Sequence, residues 1–123
     1  MEVRTLYERV GGDAFFIELV NRFYDGVASD ERLRPMYPED LGDSRQHLAW
    51  FLIQYWGGPT TYQQERGHPR LRLRHAPHHI DAPARDAWLE HMFAALDAMP
   101  LDVDDREELS AYLEMAAHQL RNA

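Results

Sequence analysis

Cysteine is absent from this 123-residue chain, which excludes disulfides, zinc–thiolate centres, iron–sulfur clusters and thiol nucleophiles. Lysine is absent too: all 13 basic residues are arginine. No apolar run approaches the roughly 20 residues that span a bilayer, so no integral membrane association is expected. The opening MEVRTLYERVGG lacks the basic-then-apolar order of a secretory signal, and a cytoplasmic location is the expectation. Also missing are strand-like alternation, internal repeats, a phosphate-binding glycine loop, a Ser/His/Asp set and paired carboxylates on an inward face. The carboxylate pairs that do occur, such as Glu39–Asp40 and Glu107–Glu108, fall at helix starts or on polar faces, where solvation and the helix dipole account for them.

What is present describes a globular chain. Hydrophobic residues make up 45% and charged residues 28%, and the length suits one domain, residues 1–123, with a core of its own. A net charge of −8 argues against nucleic acid as a partner, because the phosphates would be repelled. The positive charge is unevenly spread. Arg66, His68, Arg70, Arg72 and Arg74 crowd into one strip, an arrangement suited to holding an anion.

The apolar periodicity is helical throughout. Leu6 to Val10 form a short first helix stopped by Gly11-Gly12. Asp13 is the expected N-cap of a second, whose Phe15, Phe16, Leu19, Val20, Phe23, Tyr24 and Val27 recur at i, i+3, i+4, i+7. A short turn is expected over 31–36, before Pro38. Asp43 or Ser44 opens a third long helix carrying Leu48, Phe51, Leu52 and Tyr55, ended by Gly57-Gly58-Pro59. Asp81 caps a helix with Trp88, Leu89, Met92, Phe93 and Leu96 inward. After Pro100, Asp102 or Asp104 begins the last, with Leu109, Tyr112, Leu113, Ala116 and Leu120 inward. The fold class is all-α with four substantial helices. Between them residues 57–81 read as a long irregular stretch with one short helix near 70–76, and so long a loop in a small domain points to function.

Within that stretch lies His75, in LRLRHAPHHI. Neutral imidazole is a strong donor to haem iron, Leu71, Leu73 and Ile80 supply apolar surface, and the arginines supply cations for two propionates. A second reading takes His75, His78 and His79 as a zinc or nickel site, although Pro77 interrupts the helix between them. Tyr24, Tyr37 and Trp88 read either as core aromatics with satisfied polar atoms or as donors converging on a small bound ligand.

The segments FYDGVASDERLRPMYPEDL, FLIQYWGGPTTYQQERGHPRLRLRHAPHHI, RDAWLEHMFAAL and LEMAAHQL together resemble the truncated, two-over-two haemoglobins, specifically group II. The resemblance spans nearly the whole chain. It implies a globin-like helical sandwich around haem b, with His75 of RHAP as the proximal iron ligand. Tyr24 of RFY, Tyr37 of MYPED and Trp88 of DAW match the polar residues of the ligand side. Ser44, Leu48 and Phe51 match positions lining it. Leu71 and Ile80 are expected against the haem, and Arg66, Arg72 and Tyr62 are the expected propionate partners. Two departures stand out. His78 occupies a position where relatives often carry phenylalanine. Ser44 is small at the distal gate, leaving ligand stabilisation to Trp88 and to Tyr37, with Tyr24 donating to Tyr37.

The resemblance implies O2, CO and NO as ligands, a reductase as partner, and NO dioxygenation, peroxide chemistry or sensing as candidate activities. Homo-oligomerisation stays open. The competing readings are a helical scaffold that has lost its cofactor and a small histidine-metal enzyme.

Overall fold

The computed structural model describes residues 4–123, and no strand forms among them. The helices are α1 (Leu6–Val10), α2 (Asp13–Ala28), α3 (Gly42–Tyr55), α4 (Thr61–Arg66), α5 (Leu71–His75), α6 (Ala82–Asp97) and α7 (Val103–Leu120), with a 3-10 turn at Arg34–Met36. Helix α2 packs on α3 and on α6, α6 packs on α7, and the short α4 and α5 lean on α3 and α7. Two long helices therefore lie over two others. Among the described residues no helix is long and apolar enough to cross a membrane.

The stripe on α2 is buried as its period predicts, with Phe16, Leu19, Phe23 and Val27 fully enclosed. Helix α6, which packs on α2, buries the small residues Ala84, Ala87 and Ala95. Gly26 permits this contact: a Cβ there would lie 2.4 Å from Nδ1 of His91 on α6. His91 in turn contacts Asp30 through Nε2 at 2.6 Å, and Asp30 also binds Arg32, which reaches Glu90. This network ties the end of α2 to the middle of α6.

Local chemistry sets the helix ends. Asp81 caps α6 by accepting from the Ala84 amide at 2.9 Å, and Pro83 sits in the first turn, where its missing amide costs nothing. Gly57 ends the α3 turn at φ 103, a left-handed conformation that glycine adopts without strain. Two expectations are corrected. Asp13 does not cap α2: it is the first helical residue, behind Gly12, and accepts from the Tyr7 hydroxyl at 2.6 Å. Nor is 57–81 a largely irregular stretch, because α4 forms within it ahead of α5.

Candidate functional site

A cavity of about 420 Å³ opens between α2, α3, α5, α6 and α7. Its walls are mainly apolar, with Leu48, Phe51 and Leu52 from α3, Leu71 from α5, and Leu113 and Ala117 from α7 among them. Tyr24, Tyr37, Ser44, Tyr62, Arg66, His75, Ile80 and Trp88 also line it. The fold thus gathers side chains separated by more than sixty positions into one space.

Helix α5 supplies the key nitrogen. Nδ1 of His75 lies 2.7 Å from the carbonyl oxygen of Leu71, one turn earlier. A carbonyl only accepts, so Nδ1 carries the proton and the ring's lone pair is on Nε2. An imidazole oriented this way by a backbone carbonyl is the arrangement metal-bound histidines adopt. The helical repeat then places Leu71, Arg74 and His75 on the cavity side at i, i+3, i+4. By the same repeat Arg72 faces away. It is exposed and lines a separate surface groove with Ala76, Pro77 and residues 119–122. Arg72 is therefore replaced by Arg74 among the strip residues that line the cavity.

The cationic rim has a built form. The Arg66 guanidinium contacts Nδ1 of His47 and lies over the Tyr62 ring, with Cζ 5.8 Å from the centroid. Arg74 approaches the same ring at 5.9 Å and is anchored to the carbonyls of Pro69 and Arg66, each at 2.8 Å. A guanidinium only donates, so the Nδ1 of His47 accepts. Burial and then the nearby Arg66 charge hold the His47 pKa below the ordinary imidazole value. The result is two guanidinium groups and a phenol at one edge of an apolar slot.

The aromatic donors belong to α2, α6 and the 3-10 turn. The Tyr24 ring meets Tyr37 edge to face with centroids 5.6 Å apart, and Phe23 meets Trp88 in the same manner at 5.3 Å. Among the described residues no hydrogen bond joins the Tyr24 and Tyr37 hydroxyls, contrary to the expectation that Tyr24 donates to Tyr37. Arg45 of α3 fixes Tyr24 from outside: it binds the Asn21 carbonyl at 3.1 Å and Asp25 at 3.0 Å, with its guanidinium 5.7 Å from the ring centroid. Burial pushes the Tyr37 hydroxyl up to about 12 and raises Tyr24 further, with the neighbouring Tyr37 adding to the effect. Both phenols hold their protons as donors throughout the neutral range.

Sequence reasoning missed His47 and Met36 as lining residues; it had Arg74 only as one member of the strip and Tyr112 only as an inward residue of the last helix. His47 and Tyr112 lie on helices that carry long apolar patterns, one turn from residues already singled out, and helical spacing was the available signal. Among the described residues no cluster of three or more His, Asp or Glu is placed to hold a metal ion, so His75, His78 and His79 do not form a zinc-type set. The site instead offers one imidazole lone pair, a flat apolar slot and a cationic rim. That donor set fits haem.

Comparison with known proteins agrees. The family model for bacterial-like globins matches residues 5–122. The group 2 truncated haemoglobin YjbI of Bacillus subtilis is 41% identical over 116 residues, covering 94% of this chain and 87% of that protein. A crystal structure of a thermostable haemoglobin from Thermobifida fusca superposes with a TM-score of 0.96 at 52% identity, covering 98% of each chain. The haemoglobin of Chloroflexus aurantiacus does so with a TM-score of 0.96 at 46% identity, covering 98% of this chain and 100% of that one. The chain belongs to the bacterial-like globin family, as a group II truncated haemoglobin, and its cofactor is haem iron.

Proposed function

We propose that the protein holds haem through Nε2 of His75 as the single protein ligand, and that it retains O2 and related diatomics long enough to react with them or report them. The observation that carries this is the His75–Leu71 contact, which leaves an imidazole lone pair on Nε2 in a mainly apolar cavity. Haem, once held there, would supply the iron chemistry that takes up O2, CO or NO. The chain does the rest. Leu48, Phe51 and Leu71 exclude water from the slot, while Arg66, Arg74 and Tyr62 offer charge and hydrogen bonds to the two propionates. Trp88 only donates, so its indole N–H stabilises negative charge without offering a competing lone pair. Tyr24 and Tyr37 add phenolic donors whose protons stay in place at neutral pH.

A site with three donors suits slow release. That argues against bulk O2 delivery and favours NO dioxygenation, peroxide chemistry or sensing, with a reductase restoring the ferrous state. Titrating the protein with hemin tests the reading. A Soret band at one haem per chain that shifts on reduction and CO addition is expected. A chain that stays colourless with excess hemin supports a scaffold, and bound zinc without haem uptake supports a histidine-metal enzyme.

A further inference from the structure

After α7 the chain lies against the loop that joins α5 to α6. Asn122 engages that loop with its whole carboxamide. Its Nδ2 donates to the His78 carbonyl at 2.8 Å and reaches the His75 carbonyl at 3.4 Å. Its Oδ1 accepts from the Ile80 amide at 2.8 Å. The backbone amides of Asn122 and Ala123 both donate to the Ile80 carbonyl, at 2.9 and 3.1 Å. One residue therefore bridges His75, at the end of α5, to His78 and Ile80 in the loop that follows.

Beyond the clasp, His79 contacts Asp81 at 3.4 Å and Arg74 ties α5 to the Pro69 and Arg66 carbonyls. Helix α5 is five residues long, too short to persist alone, has no side-chain cap, and none of its residues is fully buried. Ala76, Pro77, His78 and His79 are all exposed. Within the loop the His78 amide donates back to the His75 carbonyl at 2.9 Å, so a displacement of His78 is passed directly to His75. Asparagine is the side chain this clasp requires. Aspartate would keep the acceptor for Ile80 but present a carboxylate to the His78 and His75 carbonyls, and alanine would lose all three side-chain bonds.

We propose that Asn122 is a positioning residue for His75, setting the tilt of the imidazole and closing that wall of the cavity without touching the cofactor. The inference rests on His75 being the iron ligand. Because the clasp is exposed, water competes for each bond and the combined effect is several-fold. The full chain is loaded with haem, and two quantities are measured. One is the iron–histidine stretching band of the ferrous protein by resonance Raman spectroscopy. The other is the rate of haem transfer to excess apomyoglobin. Asn122→Ala is expected to shift and broaden the band and to speed haem loss about fivefold. Asn122→Asp should act in the same direction, and it carries the comparison if the alanine variant folds poorly. Gln119→Ala, in the adjoining groove but without a bond to the loop, should match wild type. A wild-type band unchanged in both Asn122 variants, with unchanged haem loss, overturns the positioning role, as does an equal effect from Gln119→Ala. A wild-type protein lacking the band removes the His75 assignment itself.

Discussion

At the residue scale, the ligand-side donors differ in how they act on different gases. With haem bound, O2 would gain negative charge while CO would stay nearly apolar, so an N–H or O–H donor of this chain would discriminate between them. Each retained hydrogen bond contributes about 1–2 kcal/mol, and losing one speeds release roughly tenfold. Trp88→Phe is therefore expected to accelerate O2 release by about that factor while CO release changes little, and Trp88→Phe with Tyr37→Phe should be faster still. Stopped-flow ligand displacement measures both. Equal factors for the two gases would make the indole a steric gate rather than a donor. The buried phenols add a pH expectation. Tyr37 is pushed up to about 12, so its folded-state pKa exceeds its unfolded value. That stabilisation is complete below the ordinary phenol value of 10.0 and is lost as pH rises toward the folded value. O2 release should consequently be flat from pH 6 to about 10, with thermal stability declining only on the alkaline side.

At the element scale, Asp81 carries a clear mechanical role. It starts the helix that bears Trp88, and its carboxylate accepts from the Ala84 amide. Asp81→Ala should cost about 1 kcal/mol in denaturant unfolding. The same hydrogen bond holds the Asp81 carboxyl below the usual carboxylate range. Its folded pKa being depressed, that contribution is present above about pH 4 and is lost as pH falls below it. An Asp81→Ala variant with wild-type stability at neutral pH would remove the capping role. The elements also explain what was legible in the sequence. Helix α2 could be read because seven buried residues keep one helical phase over 16 positions. Helix α4 could not, because TYQQER buries only Tyr62 and one apolar anchor has no period. The phase of α5 was equally hidden: with five residues flanked by turns, nothing local decides whether Arg72 or Arg74 turns inward. That choice is made by packing against α7, a contact between distant parts of the chain. His75, Tyr24, Tyr37 and Trp88 were legible as a set because they match a family pattern, while their convergence on one cavity is a property of the fold.

At the scale of the whole molecule, charge is arranged against the grain. A chain of net charge −8 concentrates four arginines between 66 and 74, with no carboxylate among them. Arg66 and Arg74 crowd one tyrosine, and anionic propionates are the natural counterweight. Haem should therefore order this segment, and binding to the folded state alone adds stability by mass action. Apoprotein is expected to be cut by trypsin within residues 66–74 much faster than holoprotein. Equal resistance of the two forms would show that the segment is held without the cofactor. Haem retention turns on one nitrogen, and the most direct measurement replaces its ring. His75→Gly should lose the Soret band on gel filtration and regain it when imidazole is supplied, because the cavity and its rim remain. A His75→Gly protein that keeps the wild-type spectrum without imidazole would place the iron ligand elsewhere and contradict the account.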